Sequence, residues 1–204
     1  MELSARVEHP DPPADLNSRE LPISEFRQRE WTRIHQVGFG PIRFGKSALN
    51  RFDDPQRRFG VMYVAETFNG AFVEVLGVDA ATVPGSSLSE QELRTHAWSL
   101  VPMASPWRLV DLSGPGPIAI GAHGGISTCD HGIAQRWSRQ LYVHPDKPDG
   151  IYYRCRGDLS ESAVALFDRA RDKLGSPRAM GSLAAAPNRV ILGTALERYR
   201  IAIV

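Results

Sequence analysis

The run from Arg51 to Leu76, RFDDPQRRFGVMYVAETFNGAFVEVL, constrains this chain more than any other segment. It sets an arginine loop, a strand, a cap and a helix in direct succession. Val61 to Ala65 is short, apolar and β-prone, and reads as a buried strand. Thr67 offers an N-cap, and Phe68, Ala71, Phe72, Val75 and Leu76 follow at helical spacing. Glu74 falls at the border of that apolar stripe, where a carboxylate leans back over the end of the strand. Arg51 precedes the strand in a Pro/Asp loop, where a guanidinium is free to take a phosphate in fork geometry. An arginine, Tyr63 and Glu74 in this order are the parts of one anionic-ligand site. The plainer reading is an amphipathic strand–turn–helix unit with solvated charges, and pattern alone leaves both open.

At 204 residues the chain fits an N-terminal arm over residues 1–22 and one domain over 23–204. A hydrophobic share of 42% is that of a soluble globular protein, and a net charge of +1 argues against a general nucleic-acid or membrane-surface binder. No apolar run is long enough to span a bilayer. The opening MELSARVEHPDPP lacks the basic-then-apolar order of a secretory signal, so a cytoplasmic location is expected. Cys129 and Cys155 form no CxxC and are expected to be free thiols. The sequence leaves self-association open.

Along the chain, residues 1–20 are rich in Pro, Asp, Glu and Ser and read as an extended or partly disordered arm. Ser24 to Trp31 reads as a short helix before a strand carrying Arg33. Ser89 and Glu92 form a capping box for a helix through about Ser99. Trp107 to Leu112 is a strand, and Ser113 to Gly125, rich in glycine, is a long irregular loop. His131 to Tyr142 has helical spacing, and Ser160 caps a further helix through Leu174. Val190 to Leu192 and Tyr199 to Val204 read as terminal strands. Strands and helices alternate without the regularity of a doubly wound sheet, so the class is mixed α/β (α+β) in a single domain.

Other motifs compete for the function. Gly40 to Ser47, GPIRFGKS, satisfies the P-loop pattern and raises the alternative of a nucleotide hydrolase. A phosphate cradle needs a buried strand before it and a helix opening at Gly-Lys-Ser. Here Asp53-Asp54-Pro55 cuts the helix short, and Pro41, Ile42, Arg43 and Phe44 are a poor wrap around phosphate. His123, Cys129, Asp130 and His131 match no familiar zinc spacing, so no metal is expected. No G-x-S-x-G elbow is present, and a Cys155 nucleophile is less expected than a packed thiol.

Arg51-Phe52, Tyr63-Val64-Ala65 and Ala71-Phe72-Val73-Glu74 resemble the core of the RES-domain family, named for its arginine, glutamate and serine. Upstream, Trp31-Thr32-Arg33-Ile34-His35 resembles the family's opening strand. Downstream, Gly150 to Arg156 and then Val164 to Asp168 resemble its closing strand and final helix. The resemblance covers Trp31 to Asp168, with one departure: Cys155 stands where the family has serine. Members are bacterial toxins that consume NAD, resemble ADP-ribosyltransferases in fold, and pair with an Xre-type helix-turn-helix antitoxin. The resemblance implies a glycohydrolase, phosphorylase or ADP-ribosyltransferase acting on the nicotinamide–ribose bond of NAD. It implies Glu74 as the carboxylate opposing the developing ribosyl cation. Arg33 and Arg51 would hold the pyrophosphate or ribose edge, with Arg57 and Arg58 adding positive potential. Tyr63 and Phe52 would pack on the nicotinamide ring, and Cys155 would give a weak donor. The departure at Cys155 also admits a catalytically inactive RES-like module that only binds a partner.

Overall fold

The computed structural model describes residues 9–27, 29–77 and 87–204. Eight strands form one sheet: β1 (Ile23–Phe26), β2 (Glu30–Gln36), β3 (Val61–Ala65), β4 (His96–Pro102), β5 (Trp107–Asp111), β6 (Gly150–Arg154), β7 (Ser162–Phe167) and β8 (Arg178–Ser182). Their order across the sheet is β1-β5-β6-β7-β3-β2-β4-β8, and every pairing is antiparallel except β5 with β6. The α-helices of five residues or more among the described residues are α1 (Phe68–Phe72), which continues as a π-helical turn over Val73–Gly77, α2 (Glu90–Thr95), α3 (His131–Val143) and α4 (Arg189–Tyr199). The class is mixed α/β, as the alternation of elements implied.

The centre of the sheet is buried on both faces. In β3, Val61 and Ala65 enter one hydrophobic core while Met62 and Val64 enter a second, as strand alternation requires. The larger core carries the helices, through Phe68 and Phe72 of α1, Ile133, Trp137 and Leu141 of α3, and Leu192 and Ala195 of α4. The smaller core is aromatic: Trp31 stacks on Trp107 with ring centroids 5.4 Å apart, and Ala170 of a 3-10 segment closes over it. Residues 9–22 run as an arm that is packed down. Leu16 and Leu21 join the larger core, and Pro10 accepts a hydrogen bond from Trp137 Nε1 at 2.8 Å. That part of the arm is therefore ordered, its few apolar side chains being enough to anchor it.

Several sequence expectations are corrected by this packing. Ser24 to Trp31 is not a helix: Ile23 pairs with Val110 and Phe26 with Trp107, which places Phe26 against the ring of Tyr152 at 4.8 Å. Ser160 to Leu174 is not one helix either: Ser162–Phe167 is β7, and only Asp168–Lys173 forms a 3-10 helix. All six residues of β7 are buried, because both cores need apolar groups there, and an uninterrupted apolar run mimics helical spacing. Val190 to Leu192 opens α4 rather than a strand: Leu192 and Ala195 are its buried side, whereas Val190 is 81% exposed. The end of the chain makes only an isolated bridge, Leu88 with Ile203. The capping box at Ser89 and Glu92 forms, but α2 ends at Thr95, where β4 takes over to pair with β2. The glycine-rich stretch contains short helical turns at Gly116–Ala119 and Gly124–Ser127.

The P-loop alternative fails on the same evidence. Gly45 bridges Val61 in an antiparallel pair, Lys46 Nζ donates to the Arg58 carbonyl at 3.0 Å, and no helix opens at Ser47.

Gly150 tests the close approach of β6 and β7. A Cβ there would stand 2.5 Å from the Ala165 carbonyl oxygen and 2.9 Å from Leu166 Cα, both backbone atoms that cannot turn aside. Gly150→Ala is expected to destabilise the fold by about 1–3 kcal/mol through overpacking, read from the midpoint of urea unfolding.

Candidate active site

β2 and β3 share a single register pair, Thr32 with Ala65, so the ladder opens beyond it. A cavity of about 460 Å³ lies at that opening. Thr32, Arg33 and Ile34 line it from β2, and Tyr63, Val64 and Ala65 from β3. Asn50 and Arg51 come from the preceding loop, Ala71, Glu74 and Val75 from α1 and its π turn. His131, Tyr153, Arg156 and Ala163 complete the wall.

Glu74 is aimed by the backbone around it. Thr67 caps α1 as the sequence implied, its Oγ1 accepting from Gly70 N at 3.0 Å and donating to Glu161 Oε2 at 2.6 Å. The π turn that follows departs from α-helical spacing, a geometry that recurs where a helix must present a functional side chain. Both Glu74 oxygens are then held: Tyr153 Oη donates to Oε2 at 2.9 Å, and the Arg156 backbone N–H donates to Oε1 at 3.0 Å. Burial, and then the Glu74 charge, push the Tyr153 hydroxyl well above the usual tyrosine range, so it keeps its proton and remains a donor.

Arg51 sits in a loop tied to Asp53. Asp53 Oδ2 accepts from Ser47 Oγ at 2.6 Å and from Asn50 N and Nδ2 at 3.2 and 3.0 Å, while Oδ1 accepts from Tyr63 Oη at 3.0 Å. Tyr63 Oη also accepts from Phe52 N at 3.0 Å, which fastens loop to strand. Helix α3 grips the same loop: Gln135 Nε2 donates to the Ala48 and Asn50 carbonyls, and Ser138 Oγ to that of Phe52. Arg51 is only 8% exposed and spends one guanidinium N–H on the Cys129 carbonyl, so it is less free than its loop suggested.

Arg33 reaches over the gap, Nη1 donating to the Tyr63 carbonyl at 3.4 Å, while its buried Nε has no partner. Burial, followed by repulsion from Arg43, lowers its guanidinium to about 10. A buried cation without a carboxylate is costly, and an anionic ligand would relieve it.

The structure thus brings Arg33, Arg51, Tyr63 and Glu74 together. It does not bring Phe52, Cys155, Arg57 or Arg58 to the cavity wall. Phe52 is fully buried beneath the site with its ring edge-on to Tyr153 at 4.8 Å, so it supports Tyr153 rather than a nicotinamide ring. Cys155 is also fully buried, its thiol directed to the Gly70 carbonyl at 3.9 Å and pushed up strongly by burial and then by Glu74. It is a packed thiol under α1. Arg57 and Arg58 are exposed, and Arg58 pairs with Asp54 at 3.6 Å. Among the described residues no group of three or more His, Cys, Asp or Glu is arranged to hold a metal. His123 Nδ1 accepts from Gly125 N and the Cys129 thiol donates to the Ile126 carbonyl, while His123 Nε2 is buried without a partner.

Sequence reasoning missed Asp53 and Tyr153 as parts of this site. Asp53 read as a helix breaker beside Pro55, and Tyr153 as part of the closing strand that Gly150 to Arg156 resembles; neither pattern signals a partner far along the chain.

Comparison with known proteins places this architecture. The model of the RES domain family matches residues 28–186. A probable toxin of Sinorhizobium fredii, y4kH, is 36% identical over 84 residues, which cover 41% of this chain and 65% of that protein, just under two thirds of its length. A chain of the M. tuberculosis MbcT–MbcA toxin–antitoxin complex superposes with a TM-score of 0.60 at 14% identity, over 89% of this chain and 98% of that one. That likeness is one of fold. Among the described residues no helix is long and apolar enough to cross a membrane.

The two cavity tyrosines give a pH prediction. Burial raises both Tyr63 and Tyr153 well above the usual value, Asp53 adding to the first and Glu74 to the second. The folded state therefore binds protons more tightly than the unfolded state. Stability from these groups is full below about pH 10, the ordinary tyrosine value, and declines as pH rises above it. Unfolding free energy measured across the alkaline range should fall, and Tyr153→Phe should make that decline shallower.

Proposed function

This chain belongs to the RES domain family, and from that premise we propose that its cleft takes NAD and that the protein breaks the nicotinamide–ribose bond. The observation that carries the reading is the convergence of Arg33, Arg51, Tyr63 and Glu74, from four separate segments, on one cavity of about 460 Å³. That volume falls within the range of small-molecule sites. NAD supplies the anion that Arg33 lacks, with Arg51 beside it to take the pyrophosphate or ribose edge. Tyr63 offers a flat ring to the nicotinamide. As nicotinamide departs, positive charge develops on the ribose, and the doubly anchored Glu74 carboxylate opposes it without having to reorganise.

In this reading NAD is a substrate, side chains do the chemistry, and no metal takes part. The acceptor of the ADP-ribosyl group is water, phosphate or a protein side chain. The likeness to a probable toxin and to a toxin–antitoxin complex supports a growth-inhibiting role with an antitoxin as partner, and we place that role in the cytoplasm. An antitoxin of the Xre helix-turn-helix type suits the family. The position of Cys155 weighs against an inactive binding module. The thiol lies outside the cavity wall, so having cysteine where the family has serine removes no group facing a ligand.

Incubating the purified protein with NAD and following nicotinamide release tests the proposal directly. Glu74→Gln keeps shape and backbone position, and should lower turnover by about 10²–10³ while changing NAD binding much less. Parental turnover in that variant would remove Glu74 from the chemistry. Expressed in a bacterium at matched soluble level, the variant should leave growth and NAD content intact.

Arg51→Lys keeps the charge but loses the fork. It is expected to lower kcat/KM about 10- to 100-fold, the worth of a hydrogen bond to a charged group. Unchanged kcat/KM in a folded Arg51→Lys protein would take Arg51 out of substrate binding.

A further inference from the structure

His131 is the first residue of α3, and its exposed imidazole lines the same cavity as Arg33, Arg51, Glu74 and Arg156. Its Nδ1 lies 3.1 Å from the Leu49 carbonyl oxygen. A carbonyl only accepts, so that contact requires the proton on Nδ1. In the neutral ring the lone pair then resides on Nε2.

The arginines and tyrosines of the cavity are poor proton acceptors, and Glu74 is engaged elsewhere. Arg33, Arg51 and Arg156 have no lone pair to offer. Tyr63 and Tyr153 keep their protons, donating them to Asp53 and Glu74. Both Glu74 oxygens already accept hydrogen bonds, which holds the carboxylate in place to face a cation. Asp130, next to His131, has Oδ1 on the Gly132 N–H at 2.7 Å as the cap of α3. His131 is the histidine of the wall, and its Nε2 lone pair has no partner among the described residues.

Building on the NAD-cleaving reading above, we propose that His131 is the general base that activates water as the acceptor. The C1′–N bond breaks and nicotinamide leaves as a neutral molecule with the bonding pair. The water oxygen forms the new bond to C1′, and its proton passes to His131 Nε2 and then to solvent. The products are ADP-ribose, nicotinamide and one proton. Glu74 serves the cation and His131 serves the nucleophile, so the two ends of the displacement have separate groups.

The test is His131→Asn, whose amide N–H can stand where Nδ1 stands and keep the Leu49 contact while Nε2 is lost. Hydrolytic kcat should fall about 10²–10⁴-fold with KM within a few-fold, and the acid limb of the pH–rate profile should vanish. Azide attacks with no proton to lose, so added azide should restore turnover in the variant, yield ADP-ribosyl azide, and leave the parent nearly unchanged. In a second variant, His131→Gly, added imidazole should restore hydrolysis. A His131→Asn protein with parental kcat and acid limb overturns the proposal. So does a slowed variant that azide cannot restore, since that marks His131 as a structural tie to Leu49. A parent protein that releases no nicotinamide from NAD overturns the broader reading instead.

Discussion

The single register pair between β2 and β3 is the constraint on which the rest of this structure hangs. A sheet strand buried on both faces normally exchanges hydrogen bonds with both neighbours along its length. β3 does so with β7 through five register pairs, but with β2 only through Thr32 and Ala65. The opened ladder leaves backbone groups and side chains facing one another over a gap. Arg33 spans part of it by donating to the Tyr63 carbonyl. The cavity is thus a defect in the sheet, held open because β2 is committed on its other side to β4 over seven pairs.

Around that opening the polar side chains fall into two groups with different duties. Asp53, Gln135, Ser138 and Thr67 are spent on backbone and neighbouring side chains, and fix the loop and the helix that bear Arg51 and Glu74. Arg33, itself half-buried, keeps a buried Nε without a partner. The first group is satisfied in the protein alone, whereas the second leaves a donor over. Such a division orients dipoles and charges in advance of any ligand, at a cost met by folding.

Much of the site was legible along the chain because it is local. Arg51, Tyr63, Thr67 and Glu74 lie within one strand–turn–helix unit, and the cap, the strand and the start of the helix formed where period and capping chemistry put them. Two of the misread segments share a cause. Ser162 to Phe167 and Val190 to Leu192 are short apolar runs, for which period does not separate strand from helix. The first lies between two cores and became a strand; the second needed one buried side and became the start of a helix.

The chain by itself determined the class of the fold, the capped helix that carries Glu74 and the residue types of an anion site, since each depends on contacts a few residues long. Only the tertiary structure decided that Tyr153 and the Arg156 backbone clamp Glu74, that Asp53 ties Tyr63 to the Arg51 loop, and that His131 reaches the same cavity. It also decided that Phe52 and Cys155 lie outside the cavity wall. These outcomes depend on which strands become neighbours and on which face is covered, and both are set by burial of two cores at once.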